Sequence, residues 1–229
     1  TETRIRAMTG AGFWRDESLE LYLDRWARER PTKTALVDGE SRYTWAALAR
    51  AVDRVAHGLR AHGVERGSVV SCQLPNWNET VLIFLAALRL GAVINPIPPT
   101  YRAHEVRFML GLLESQVAVV PASFRGFNHA GMLASLRPAL PRLAHVFIAR
   151  GSGPEGTLPL TTLTDQAWEA RAGRGGLPGT DANAVHEVVF TSGTTGEPKG
   201  VMHTQNTTLS TLYRAIERLE FSDRDVVLM

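Results

Sequence analysis

The densest run of groups able to do chemistry lies late in the chain. There Thr191, Ser192, Gly193, Thr194, Thr195, Gly196, Glu197, Pro198, Lys199 and Gly200 follow one another directly. Small residues let backbone amides approach an oxygen closely, hydroxyls donate hydrogen bonds, and Lys199 supplies one ammonium group. That is the set of groups a polyphosphate needs. Val185 to Phe190 reads as a buried strand that runs straight into the loop.

Other chemistries fit less well. The P-loop of the ATPases requires Gly, four residues, then Gly-Lys-Ser/Thr, but Pro198 stands five positions after Gly193 and Gly200 follows Lys199. Ser192 is preceded by Phe190 and Thr191, so no Gly-x-Ser-x-Gly elbow supports a hydrolase triad. His57 and His62 share a helix at a spacing unsuited to one metal, and no His/Asp/Glu cluster resembles a zinc or iron site. Cys72, the sole cysteine, sits in the apolar run SVVSCQLP and reads as a small core residue. His203 follows the loop but reads as a structurally satisfied strand-end residue.

The elements that must carry the loop alternate between strand and helix. Leu19, Tyr22, Leu23, Trp26 and Ala27 recur at helical spacing until Pro31. Thr34–Val37 and Arg42–Tyr43 read as strands joined by a turn at Asp38–Gly39. Thr44 is placed to cap a helix to His62 with Trp45, Leu48, Val52, Val55, Ala56 and Leu59 on its inner face and Gly63 to end it. A strand at Ser68–Leu74 follows, then a helix to Leu90 with Asn76 and Glu79 as a capping box and Gly91 as its stop. Arg102, His104 and Glu105 read as a helix start, and Trp45 and Trp77 as packing residues. Strands at Ala92–Asn95, Val117–Val120 and His145–Ala149 alternate with helices at His104–Leu113 and Met132–Leu136. This spacing implies parallel βαβ units, hence an α/β fold with parallel or mixed sheets flanked by helices.

Composition shifts to Gly, Pro, Thr and Ala between Gly151 and Gly179, which marks a surface connection with a short helix near Trp168. The organisation expected is an amino-terminal arm at 1–16, an α/β subdomain at 17–150, the connection at 151–181, and a strand, phosphate loop and helix at 182–229. Lys and Arg total 25 against 23 Asp and Glu, and the signs interleave, so no basic face for nucleic acid is formed. The longest apolar run, Val81–Leu88, is broken by Arg89, too short to cross a membrane. The expectation is a soluble, cytoplasmic protein.

TSGTTGEPKG followed by VMHT resembles the phosphate-loop signature of the adenylate-forming superfamily, which includes acyl- and aryl-CoA synthetases, luciferases and peptide-synthetase adenylation domains. SRYTWAALARAVDRVAHGL is similar to the family's early helix motif, and ALRLGAVINPIPPTY to its second motif. QLPNWNE and VINPIPPTYRAHEVRFML look most like cyclohexanecarboxylate-type and related medium-chain or aryl acid:CoA ligases, with dihydroxybenzoate-AMP ligases close behind.

The resemblance implies the amino-terminal subdomain region of that fold and a two-step reaction. A carboxylic acid and ATP give an acyl-adenylate with Mg²⁺ as cofactor, and CoA then accepts the acyl group; a carrier-protein thiol is the alternative acceptor. It carries Thr191, Ser192, Thr194, Thr195 and Lys199 over as β,γ-phosphate ligands, with Gly193, Gly196 and Gly200 giving backbone freedom to a loop that closes over ATP. The family's adenine pocket, its Mg²⁺-binding Glu, its ribose-binding Asp and its catalytic Lys lie beyond this loop, so no catalytic residue or metal ligand is named here. The chain alone is therefore expected to be inactive. Asp225–Met229 is expected to begin a strand.

Overall fold

A computed structural model describes residues 1–171, 176–191 and 198–228. Side-chain alternation along its central strands decides which helices lie on which face. In β5 (Val117–Pro121), Val117 and Val119 pack with α2 (Leu19–Glu29), α3 (Trp45–Ala61) and α4 (Asn78–Leu90). Ala118 and Val120 turn the other way, onto α5 (Ala103–Leu112) and α6 (His129–Leu136). In β6 (His145–Ala149), Phe147 and Ala149 repeat the first choice, and Val146 and Ile148 the second. A period of two with both faces apolar is the signature of a strand covered by helices on both sides.

The remaining strands of the main sheet are β3 (Val69–Cys72), β4 (Val93–Pro96), β7 (Leu158–Pro159), β8 (Val185–Thr191) and β9 (Lys199–Thr204). The order is β7-β6-β5-β3-β4-β8-β9. Neighbours from β7 through β8 pair in parallel, and β9 pairs antiparallel with β8. This is the α/β architecture expected, with one antiparallel edge. A separate hairpin of β1 (Thr34–Asp38) and β2 (Ser41–Thr44) lays Ala35, Leu36 and Tyr43 on the first core.

Local signals act where the chain is self-contained. The Thr44 hydroxyl accepts from the Ala47 N–H at 3.3 Å and starts α3. Gly91, at φ 64°, ends α4 in the left-handed conformation that only glycine takes without strain. Long-range bonds override local signals elsewhere. Asp38 pairs with Ser41, which moves the hairpin turn to Gly39–Glu40 rather than Asp38–Gly39. Asp38 is held back by the Asn78 N–H at 3.2 Å and by Arg150. Asn76 likewise does not cap α4, whose cap position is Trp77. Asp38 takes the orphan N–H of Asn78, and Glu79 accepts from Arg150 at 2.9 and 2.8 Å instead of closing a box. The helix start at α5 holds, with the Glu105 carboxylate accepting from the Arg102 N–H at 3.1 Å.

The segment 1–16 includes α1 (Glu2–Gly10), which buries no side chain. Within 151–181, β7 joins the sheet and is followed by α7 (Thr161–Thr164) and α8 (Trp168–Arg171), while Leu160 and Leu163 are buried in the first core. Gly58 of α3 permits that docking, since a Cβ there would stand 2.9 Å from Trp168 Cδ1. Residues 225–228 form no strand. Among the described residues no strand meets their backbone, and Val226 and Leu228 are 94% and 97% exposed.

Candidate functional site

β8 is built to deliver the loop to one edge of the sheet. His186, Val188 and Phe190 alternate inward, and Thr191 emerges exposed at the strand end. β8 runs parallel to β4, with Ile94 opposite Glu187, so its carboxyl end lies at the edge where the other parallel strands end. In open α/β sheets that edge is where ligands bind. The chain returns as β9, and Thr191 pairs with Lys199 in the last rung of the hairpin. The Thr191 hydroxyl donates weakly to the Lys199 carbonyl at 3.5 Å. Both side chains are exposed and flank the loop mouth. Of the residues the sequence assigns to phosphate, Ser192, Gly193, Thr194, Thr195 and Gly196 lie outside the described residues, so Thr191 and Lys199 are the two that the geometry locates.

Gly200 has a different reason to be glycine from the one expected. It sits in β9 opposite Phe190, its φ is not positive, and a Cβ there would approach Val188 Cγ1 at 3.0 Å. Close cross-strand packing, not freedom, selects it. His203 lies opposite Glu187, four residues along β9 from Lys199, a separation of roughly 13 Å at strand rise. It is therefore set back from the loop mouth.

Burial governs the ionisable groups near β8. The His186 imidazole is fully buried and pushed down to about 4, chiefly by loss of solvent and secondarily by His203. Its Nδ1 lies 3.5 Å from the His203 carbonyl, and Nε2 has no partner among the described residues. Burial raises the Glu187 carboxyl. Burial also pushes the Cys72 thiol up to about 12, which leaves it protonated and inert. Among the described residues, no group of three or more His, Cys, Asp or Glu could hold a metal ion.

Two further features have no local sequence signal. A cleft of about 410 Å³ between the β1–β2 hairpin, α3 and α4 is lined by Arg50, Arg54, Arg150, Glu79 and Asp165. Arg54 pairs with Glu169 at 2.8 Å and Arg150 with Glu79 at 2.8 Å and with Asp38, so most of its positive charge is neutralised. The other feature is a set of bonds between residues 16–22 and α9 (Gln205–Leu219), which joins side chains about 190 positions apart.

The α/β fold, with β8 and β9 meeting at the carboxyl edge of its sheet, can be set beside known proteins. The pattern of the AMP-binding enzyme family matches residues 23–229, and the chain belongs to that family. It is 32% identical to the medium-chain fatty-acid–CoA ligase of Escherichia coli (strain K12) over 100% of its own length and 40% of that protein. It is 29% identical to the salicylyl-CoA synthase / salicylate adenylyltransferase of a Streptomyces species over 86% of this chain and 36% of that protein. The apo structure of MbtA from Mycobacterium smegmatis superposes with a TM-score of 0.85 and 29% identity, covering 98% of this chain and 41% of that one. The chain thus spans about two fifths of the length of these relatives. Among the described residues no helix is long and apolar enough to cross a membrane.

Proposed function

We propose that the loop from Thr191 to Lys199 holds the β- and γ-phosphates of ATP, and that the protein carrying it activates a carboxylic acid. A carboxylate oxygen attacks the α-phosphorus, the bond from phosphorus to the bridging oxygen breaks, and pyrophosphate leaves. The thiol of CoA then attacks the acyl carbon, gives up its proton and expels AMP. The first step concentrates negative charge on the phosphates, and donors fixed beforehand lower its barrier most. Thr191 and Lys199, fixed by the last rung of the β8–β9 hairpin, are such donors on either side of the loop. Ser192, Thr194 and Thr195 add hydroxyls, and Gly193 and Gly196 leave amides open.

The observation that supports this reading is that the run TSGTTGEPKG begins at Thr191, the last residue of a strand parallel to β4. Similarity to a fatty-acid–CoA ligase and a salicylyl-CoA synthase supports a carboxylic acid as substrate and CoA as acceptor. Mg²⁺, when bound, would neutralise phosphate charge, but the described residues offer no metal cluster, so no step is assigned to it. The reaction is placed in the cytoplasm, where ATP and CoA are supplied.

The test is carboxylate-dependent ATP–pyrophosphate exchange by the product of the whole reading frame that encodes this chain, with aliphatic, alicyclic and aromatic acids. Exchange with one acid class supports the proposal and names the class. AMP release on adding CoA, rather than a phosphopantetheine-bearing carrier protein, fixes the acceptor. Folded protein that exchanges with no acid overturns the enzyme reading in favour of a nucleotide-binding module.

A further inference from the structure

α9 buries side chains only in its first turns, and farther along it meets the body through Tyr213 and Arg214. Gln205, Asn206 and Leu209 are its buried residues, while Leu212, Ile216 and Leu219 farther along stand exposed. Two of the three buried side chains are amides, so polar bonds rather than apolar burial set where the helix begins. Those bonds come from the amino-terminal end of the chain. The Asn206 amide group donates to Asp16 Oδ1 at 2.7 Å, and Asn206 Oδ1 accepts from the Asp16 N–H at 3.1 Å. Gln205 Oε1 accepts from the Leu19 N–H at 3.3 Å. Beyond them, Glu17 accepts from the Tyr22 hydroxyl at 2.6 Å and from the Tyr213 hydroxyl at 2.7 Å, and the Arg15 guanidinium stacks 4.1 Å from the Tyr213 ring.

This fastening matters because of what precedes α9. Thr204 caps α9 and is the last residue of β9, whose first residue is Lys199. Among the described residues β9 has a strand neighbour on one side only, β8, and its first four residues are exposed. Fixing the far end of a strand limits how far its other residues can shift. We infer that Asp16 and Asn206 form a clamp that fixes the end of β9 and thereby positions Lys199 for the nucleotide phosphates. The inference rests on the nucleotide reading of the loop and adds to it a positioning role for residues far from that loop. Asp16 suits the task twice over. Its backbone is left-handed, at φ 54°, a conformation Asp and Asn tolerate better than other side chains, and its Oδ1 also lies 3.4 Å from the Asn183 amide.

The test measures binding of pyrophosphate and ATP, each with Mg²⁺, and amide hydrogen exchange along β9, in the product of the whole reading frame. Asn206→Ala removes both clamp bonds, and with them the Asn206 donation to Asn183 Oδ1 at 3.0 Å, at a helix position that tolerates alanine. It is expected to weaken both ligands about tenfold and to speed exchange over residues 199–204 about tenfold, while β3 and β5 keep their protection. Asp16→Asn keeps an acceptor and the left-handed backbone, and is expected to match the native protein in both readouts. Unchanged affinity in Asn206→Ala overturns the positioning role, as does exchange that rises equally across the whole sheet. Native protein that binds neither ligand refutes the nucleotide reading itself, a separate result.

Discussion

His186 offers a quantitative check on how tightly β8 is packed. It is 0% exposed, its ring meets Phe84 edge-on at 6.3 Å, and its Nε2 has no partner among the described residues. Burial lowers the imidazole from an ordinary 6.5 to about 4. Between those values the unfolded chain binds a proton that the folded chain refuses. The stability from keeping His186 neutral is therefore fully present above 6.5 and is lost as pH falls toward 4. Integrating that difference from about pH 7.5 to about pH 5 gives a loss on the order of 2 kcal/mol from this residue. His186→Leu removes the titration at similar volume, along with an unpaired buried nitrogen. Urea unfolding followed by tryptophan fluorescence at the two pH values reads the effect. The native protein should lose about 2 kcal/mol more than the variant on acidification. His57 and His145, also lowered by burial, stay in both proteins and cancel. Equal losses in the two proteins would refute the reasoning and place His186 in contact with water or an anion.

Cys72, whose thiol burial pushes up to about 12, should resist a disulfide reagent in the native state and react once the protein is unfolded in urea; fast native reaction would contradict its burial in β3. Gly91→Ala should cost about 1–2 kcal/mol from the left-handed backbone alone. More is expected from the contact of its Cβ with the Gly179 carbonyl at 2.9 Å, so an unchanged unfolding midpoint would show that α4 ends differently. Phe147, wholly buried at the centre of β6, should cost about 3–5 kcal/mol when cut to alanine, measured by the same unfolding curves.

How far the sequence could be read depended on the range of the forces involved. The inner face of α3, the stop at Gly91 and the strands β3 to β6 are legible because their periodicity and caps are set within a few residues. The Asp38 turn was displaced because Asn78 and Arg150, distant from it in sequence, both bond its carboxylate, and the Asn76 cap because Arg150 takes the Glu79 carboxylate. β7 is two residues long, too short for any period to show, and it exists only because β6 offers an edge. In the candidate site, the residue types of Thr191 and Lys199 single them out in the sequence, but not their positions. That the loop closes a hairpin, and that Gly200 is small because Val188 lies beneath it, are facts of pairing across strands. The Asp16–Asn206 clamp is the extreme case, since no local pattern marks either partner.

The central claim is that the β8–β9 loop holds the terminal phosphates of ATP. Hydrogen exchange of the peptide spanning residues 188–202, in the whole reading-frame product, tests it most directly. Mg²⁺ with ATP or with pyrophosphate should slow exchange there, AMP should not, and Lys199→Ala should weaken the protection. Protection by AMP equal to that by ATP, or none with any of the three ligands, would contradict the account.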